Sequence, residues 1–306
     1  MLDQAKASAV YRALRGLWRR RFKILAANRF LQFAPPGHFY SPIPDLHFVQ
    51  RHSSKLFERD TRDVPGIALH ADEQRALIAR FARFYGEIPF AAKRSRELRY
   101  YFDNSYFSYG DAISLYSMLR CFRPQRVIEI GSGYSSAVML DTNDRFLAGD
   151  VKFAFIEPCP ERLQSLLNDH DRVHHELIVA DVQTVSLDRF QALEADDILF
   201  IDSSHVIRIG SDVVFLLSHV LPALRQGVIV HFHDVFWPFE YPEEWVRNGR
   251  AWNEAYALRA FLQFNSSFEI LFFNSYLSVH HKDALERHLP LFLRNPGGSI
   301  WLRKTG

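Results

Sequence analysis

The stretch that decides the fold is RVIEIGSGYSS, residues 126–136. Its apolar, β-branched first half predicts a buried strand at 126–130. Gly131 and Gly133 then predict a tight turn, because glycine adopts backbone angles that other residues avoid. A helix is expected to follow at 134–141. This stretch therefore predicts one strand–turn–helix unit of an α/β protein.

The same alternation continues along the chain. Four more strand-like runs follow, at 151–156, 176–180, 197–201 and 227–231. Helical spacing is found between them, at 160–169, 186–193 and 211–225. Strands separated by helices form right-handed βαβ units and a parallel sheet with both faces covered. We therefore predict an α/β fold with a doubly wound, mostly parallel sheet.

Two further regions flank these units. The runs 268–273 and 299–303 lie close together near the C-terminus and predict an antiparallel pair that closes one edge of the sheet. Residues 1–98 are predicted to form an N-terminal cap of helical and extended segments. Residues 99–306 are predicted to form the sheet domain.

Composition excludes several classes of protein. The chain has 306 residues, 48% of them hydrophobic, and a formal net charge of +2, which is ordinary for a globular protein. Its apolar content is too high for a disordered chain, and two cysteines cannot form a disulfide scaffold. No run reaches the roughly 18 apolar residues of a membrane span, and no signal peptide is recognisable. We expect a cytoplasmic protein.

Positive charge is concentrated at the N-terminus. Residues 1–30 hold eight basic side chains and one acid, so this segment carries +7 and the remaining residues carry −5. Apolar residues between Val10 and Leu25 fall at helical spacing and predict a basic amphipathic helix. Such a helix suits peripheral contact with an anionic membrane, its own domain, or a sister subunit in a homodimer. Nucleic acid is not expected, because no recognition motif is present.

Polar groups follow each predicted strand of the parallel sheet. In a doubly wound sheet, ligands bind beyond the carboxyl ends of the strands. These positions hold Gly131, Ser132, Gly133 and Ser135, then Glu157, Asp181 and Val182, then Asp202 and His205, then His233 and Asp234. Carboxylates placed repeatedly at such ends predict a ligand site, because each carboxylate needs solvent or a partner.

Four of these segments resemble a known family. VIEIGSGYSS, with Glu129 two residues before Gly131, resembles the first motif of class I S-adenosylmethionine (SAM)-dependent methyltransferases. The segments IEP, ADV and DILFIDSSH resemble three later motifs of the same family. The resemblance covers roughly residues 100–306 and implies a seven-stranded Rossmann-like sheet. It is greatest to metal-dependent O-methyltransferases of small molecules, the sugar and catechol types.

The resemblance also implies roles for single residues in cofactor binding. Glu157 would hold the ribose hydroxyls of SAM, and Asp181 and Val182 would border the adenine. Glu129 would orient the turn or the cofactor ammonium, or would act only as a buried cap of the turn. The group implied to bind or border the cofactor comprises Glu129, Gly131, Ser132, Gly133, Ser135, Glu157, Asp181, Val182 and Asp202.

The resemblance further implies a divalent metal on Asp202, His233 and Asp234, with His205 as general base. Histidine at position 233 departs from the oxygen donor usual in the family. Either His233 does not bind the metal, or the metal is Mn, Fe or Zn rather than Mg. His231 would share a face with His233, as a ligand or as a partner of one. A metal-free enzyme with His205 as base is a further alternative.

These features predict O-methylation of a hydroxyl on a small-molecule acceptor. The aromatic segments 38–45 and 236–245 could line the acceptor pocket, or could pack the cap on the sheet. Residues 101–109, rich in tyrosine, could close over the cofactor. The alternatives are a metal-dependent oxygenase or a non-catalytic SAM-binding protein on the same fold. A nicotinamide-dependent oxidoreductase is disfavoured, because Ser136 stands where a third glycine is expected.

Overall fold

The structure, a computed structural model, describes residues 28–306. The predicted basic helix within residues 1–30 lies almost wholly outside these described residues. Its membrane or dimer role therefore stays a prediction. Within residues 28–306, no helix is long and apolar enough to cross a membrane.

Seven strands, fourteen α-helices of four or more residues and one of three residues, Leu221–Ala223, can be followed along the described residues. The strands are β1 Arg126–Ile130, β2 Lys152–Ile156, β3 Glu176–Ile178, β4 Ile198–Ile201, β5 Ile229–Phe232, β6 Phe268–Phe273 and β7 Ile300–Lys304. The helices before β1 are α1 Arg29–Phe33, α2 Leu46–Arg51, α3 Ser53–Leu56, α4 Ala71–Tyr85 and α5 Tyr109–Phe122. Those between β1 and β5 are α6 Tyr134–Phe146, α7 Glu161–Gln164, α8 Asp169–His174, α9 Leu187–Gln191 and α10 Asp212–Phe215. The last four are α11 Glu243–Arg247, α12 Glu254–Leu262, α13 Asn274–His280 and α14 Lys282–His288.

The strands form one sheet in the order β3-β2-β1-β4-β5-β7-β6. The pairs from β3 to β5 are parallel, and β7 is antiparallel to both β5 and β6. This confirms the predicted doubly wound, mostly parallel sheet and its antiparallel closing pair. The chain reverses its strand order between β1 and β4, so these two strands flank the crevice where ligands of such sheets bind.

Burial explains why the strands are so apolar. Every residue of β4 and of β5 is buried, because helices cover both faces of the sheet. Glu129 and His231 are exceptions, since they are polar side chains buried within central strands. A buried polar group needs a partner, so both positions indicate a special local environment.

The helix predicted at 160–169 is two helices, α7 and α8. The interruption has a local cause at Asn168, whose side chain accepts a hydrogen bond from the backbone N–H of Asp171. Asp171 returns a bond to the N–H of Asn168, and together they form a capping box that begins a new helix. The predicted helix at 211–225 is also composite, because a π-helical turn at Leu216–Val220 follows α10.

The chain forms two compact units. One comprises residues 57–242 and 252–306 and contains the whole sheet. The described part of the other comprises residues 28–56 and 243–251. In this smaller unit, Ser53 donates a 2.7 Å hydrogen bond to Glu243, which is also the partner of Arg247. These contacts connect its two chain segments.

Arg99 forms ion pairs with three aspartates of the sheet unit. Its guanidinium contacts Asp141 at 2.7 Å, Asp144 at 2.9 Å and Asp171 at 2.7 Å. Asp141 and Asp171 are buried, and burial alone raises the pKa of Asp141 despite the bonds that Arg99 donates. Arg99 thus joins the segment before α5 to α6 and α8.

Replacing Arg99 by Gln should lower the free energy of unfolding by about 3–5 kcal/mol, because two buried carboxylates lose their cation. Urea denaturation measures this loss. The matched control is Arg189→Gln, which breaks an exposed pair with Glu176 and should cost no more than about 1 kcal/mol. Equal effects of the two changes would contradict the structural role of Arg99.

Candidate functional site

The glycine turn after β1 leaves no room for a side chain. Gly131 has φ +77°, and a Cβ at this position would lie 1.9 Å from the carbonyl oxygen of Asp202. The N–H of Asp202 also donates to the carbonyl of Ile130, at 2.8 Å. Only glycine permits this approach, which brings the ends of β1 and β4 together.

Glu129 lies beneath this turn and is fully buried. Its carboxylate accepts hydrogen bonds from the hydroxyls of Ser135 and Ser136, at the start of α6. Burial raises the pKa of Glu129 to about 8, although the serine hydroxyls oppose the shift. Glu129 lines neither of the two cavities described next. Its contacts are those of a group that holds the turn.

A first cavity, of about 370 Å³, opens at the ends of β1, β2 and β4. Five residues predicted to bind the cofactor line it: Gly131, Glu157, Asp181, Val182 and Asp202. The carboxylate of Glu157 accepts hydrogen bonds from the backbone N–H of Ser132, at 2.9 Å, and of Cys159, at 2.8 Å. Glu157 therefore also stabilises the glycine turn.

A second cavity, of about 390 Å³, adjoins the first and shares Asp202, Ser203 and Ser204 with it. It brings together the remaining predicted residues, namely Ser132, Gly133, Ser135, His205, His233 and Asp234. Five lining residues were not predicted as site residues: Tyr106, Phe107, Tyr134, Arg162 and Trp252. Tyr106 does come from the tyrosine-rich segment that was expected to close over the cofactor.

Two histidines alternate with two carboxylates in the second cavity. The Nε2 atom of His205 lies 3.3 Å from Asp202 Oδ1 and 3.7 Å from Asp234 Oδ2. The Nδ1 atom of His233 lies 3.3 Å and 3.9 Å from the same two oxygens. Each imidazole therefore lies beside the carboxylates of both Asp202 and Asp234.

Burial and charge together shift the pKa of every member of the cluster, and for Asp234 burial outweighs the two histidines and raises the pKa. Burial alone would lower the pKa of His205, but Asp202 and Glu254 outweigh it and raise the pKa to about 10. Asp234, Asp202 and Asp111 likewise raise the pKa of His233 well above its ordinary value, against burial. Burial favours protonated Asp202, yet the two histidines hold its pKa well below the usual range. Asp202 is therefore ionised beside two cationic imidazoles.

His231 is a core residue rather than a member of the cluster. It is fully buried, stacks on Phe200 at 3.8 Å, and pairs through Nε2 with the hydroxyl of Ser299 at 2.9 Å. Burial lowers its pKa well below the ordinary value, so its imidazole is neutral. His231 lines neither cavity.

The segment 236–245 lies away from both cavities. Trp237, Phe239 and Tyr241 are buried, and Trp237 donates through its indole to the carbonyls of Arg59 and Thr61. None of residues 236–245 lines either cavity. These three aromatic side chains pack in the core of the sheet unit, which agrees with the packing alternative.

Two buried acids beside the cluster were not predicted from the sequence. Asp111 lies 3.6 Å from His233 Nε2, and Glu254 lies 2.9 Å from His205 Nδ1. Asp111 had a weak signal, since it is an acid in the otherwise apolar start of α5. Glu254 had none, because it follows the last quoted motif by almost fifty residues and belongs to an ordinary helix start.

The metal predicted on Asp202, His233 and Asp234 finds no support in the geometry. Among residues 28–306, no group of three or more His, Cys, Asp or Glu side chains is placed to hold a metal ion. The contacts of the cluster are those of histidine–carboxylate ion pairs.

Sequence comparison identifies the central part of the sheet unit. A family model described as a methyltransferase domain matches residues 128–235, the region from β1 to just after β5. An uncharacterized protein of Archaeoglobus fulgidus is 35% identical over 165 residues, which cover 52% of this chain and 73% of that protein. The residues that the family model matches include every predicted site residue, from Glu129 to Asp234.

Two solved structures are similar to this chain over most of their length. One is the SAH-bound methyltransferase PaMTH1 of Podospora anserina, with 13% identity, 85% of this chain and 95% of that chain covered, and a TM-score of 0.41. The other is the O-methyltransferase TomG of Streptomyces achromogenes, in complex with SAM and involved in tomaymycin synthesis. It has 15% identity, 86% and 97% coverage, and a TM-score of 0.40. Such identities are too low to carry over a substrate.

Replacing Glu129 by Gln should remove a pH dependence of stability. The folded chain holds a proton on Glu129 up to about pH 8, whereas the unfolded chain releases it near the ordinary glutamate pKa of 4.5. As the pH rises through this window, the free energy of unfolding of the wild type should therefore fall, relative to that of Glu129→Gln, by up to about 1.4 kcal/mol per pH unit.

Urea denaturation of both proteins at several pH values from 5 to 8 measures this difference. The exposed acid Glu161, changed to Gln, is the control and should leave the wild-type pH dependence in place. A Glu129→Gln profile parallel to that of wild type would show that Glu129 is ionised in the folded protein.

Proposed function

This chain belongs to the class I SAM-dependent methyltransferases, and we propose that it methylates a hydroxyl of a small-molecule acceptor with His205 as the general base. The observation that carries the proposal is the position of His205. His205 lines the second cavity, with Nε2 beside Asp202, and the second cavity shares Asp202, Ser203 and Ser204 with the first. A base is thus available where the methyl donor and an acceptor would meet.

The first cavity suits the adenosine end of the donor. Glu157 offers a carboxylate to a ribose diol, and Asp181 and Val182 line the same wall. The glycine turn at Ser132 and Gly133 lines the second cavity, where the methionine end would follow. We propose that the donor spans both cavities and passes Asp202 at their junction.

The second cavity suits a small acceptor with an apolar body. Tyr106, Phe107, Tyr134 and Trp252 give it aromatic walls, while the polar groups lie together at one end. When bound, SAM supplies an activated methyl group on a sulfonium and leaves as the thioether. The carboxylates of Asp202 and Asp234 lie where that positive charge would be, so they favour donor binding.

His205 would take the proton of the acceptor hydroxyl as the new O–CH₃ bond forms. A hydroxyl is a poor nucleophile while it holds its proton, so a base within hydrogen-bond reach promotes the transfer. The raised pKa means that His205 must first release a proton in the free protein. A sulfonium bound in this cavity would favour that release, and the neutral imidazole would then be a strong base.

The reaction is proposed without the divalent metal that the family resemblance implied. Among residues 28–306, no group of three or more His, Cys, Asp or Glu side chains is placed to hold a metal ion. His233 lies beside Asp111, Asp202 and Asp234, and these carboxylates raise its pKa well above the ordinary value, against burial. A histidine ligates a metal through an unprotonated ring nitrogen, so a metal at His233 would have to displace this proton. The steps above use only the side chains described.

Replacing His205 by Ala should abolish turnover and leave affinity for S-adenosylhomocysteine within about twofold, because the base contacts the acceptor rather than the adenosine cavity. Isothermal titration measures the affinity, and conversion of SAM across a panel of small hydroxylated acceptors measures turnover. The control is the exposed His219, changed to Ala, which should behave as wild type. Turnover retained in His205→Ala would exclude the base, and no binding to wild type would exclude the donor.

Chelation should not change turnover. After treatment with EDTA and removal of the chelator, the rate with an active acceptor should stay within about twofold of the untreated rate, because the cluster is charge-paired without a metal. Added Mg or Mn should have no effect. Activity lost on chelation and regained with either ion would restore the metal to Asp202 and Asp234.

A further inference from the structure

Glu254 is a buried acid that no step above uses. It is the first residue of α12 and is 1% exposed. A carboxylate this deeply buried is costly unless its oxygens are hydrogen-bonded. Both oxygens of Glu254 have partners, and both partners belong to the loop that holds the proposed base.

The carboxylate contacts His205 directly and indirectly. Oε2 lies 2.9 Å from Nδ1 of His205, and Oε1 accepts a 2.8 Å hydrogen bond from the hydroxyl of Ser203. The same hydroxyl accepts a 3.1 Å bond from the backbone N–H of His205. Glu254 therefore sets the position of the imidazole ring and of the backbone that carries it.

The residues around Glu254 hold His205 from further directions. The carbonyl of His205 accepts hydrogen bonds from the N–H groups of Asn253, at 3.0 Å, and of Glu254, at 3.1 Å. The ring of Trp252 lies 4.4 Å from the imidazole. His205 has φ +59°, a left-handed conformation that is costly for a residue with a side chain. The start of α12 thus holds a conformation that a free loop would leave.

We propose that Glu254 is the positioning residue of the general base. By accepting the Nδ1 proton, it selects the tautomer in which Nε2 has a free lone pair, and it directs Nε2 toward the cavity that Asp202 and Asp234 line. A carboxylate that holds one imidazole nitrogen fixes the tautomer and the orientation in which the other nitrogen acts as a base. This inference rests on the proposed function, because it assigns Glu254 a role through His205.

The reaction moves one proton and one methyl group. The acceptor O–H bond breaks and its proton passes to Nε2, while the O–CH₃ bond forms and the S–CH₃ bond breaks. The resulting imidazolium donates Nδ1–H to Glu254, which stays ionised and stabilises the cation. The Nε2 proton then passes to solvent before the next turnover. Nothing is oxidised or reduced.

The first test compares Glu254→Ala, Glu254→Gln and a control on the same helix, Arg259→Gln. The Ala variant should lose kcat by about 100-fold with the KM for SAM little changed, because orientation of the base is lost while the adenosine cavity is intact. The Gln variant should lose less, since its amide oxygen still accepts Nδ1–H. Arg259→Gln should behave as wild type.

The second test needs no acceptor. Imidazole ¹⁵N NMR of the complex with S-adenosylhomocysteine, with His205→Ala used for assignment, reports the protonation and hydrogen bonding of both ring nitrogens of His205. Wild type should show a strongly hydrogen-bonded Nδ1–H, Glu254→Gln a weaker one, and Glu254→Ala no such hydrogen bond. A merely structural role would leave the resonance unchanged in the Gln variant.

The outcomes separate this inference from the proposed function. Full kcat in Glu254→Ala, with His205→Ala inactive, would overturn the role of Glu254 and leave the base in place. Activity in His205→Ala would overturn both. If Glu254→Ala does not fold, the Gln variant decides. An unchanged kcat with an unchanged Nδ1–H resonance overturns the proposal, and a loss of about tenfold or more with a shifted resonance supports it.

Discussion

The close approach of the glycine turn to β4 is the constraint on which the rest of the site depends. The carbonyl of Asp202 occupies the space that a side chain at position 131 would need. The ends of β1 and β4 can therefore lie side by side, and the two cavities meet at Asp202. A bulkier residue at 131 would separate the strand ends and with them the donor and acceptor sites.

Charge organises what this geometry brings together. The cluster lies against the buried, apolar strands of the sheet, where water is excluded and an unpaired ion would be costly. Alternating imidazoles and carboxylates satisfy one another, and Asp111 and Glu254 continue the alternation at either side. The same pairing that stabilises the cluster holds protons on its histidines. His205 must therefore lose its proton before it can act as the general base, although the surrounding carboxylates favour the protonated form.

Local patterns predicted most of the fold. Each parallel strand appears within two residues of its predicted position, because buried strands must be apolar along their whole length. The glycine turn and the polar strand ends likewise predicted residues that line the two cavities. Where prediction was wrong, a local contact was the reason: the capping box at Asn168 divides one expected helix into α7 and α8. The aromatic segment 236–245 was ambiguous, since core and pocket walls favour the same side chains.

The sequence alone determined the order of strands and helices, the need for glycine at position 131 and the residues at the strand ends. These depend on backbone angles, periodicity and the known geometry of parallel sheets, all of which are local or generic. Tertiary structure decided that His231 is a core residue, that His233 pairs with carboxylates, and that Glu254 holds His205 across 49 positions of sequence. Those roles depend on which side chains become neighbours and how deeply they are buried. The spacing of residues along the chain determines neither property.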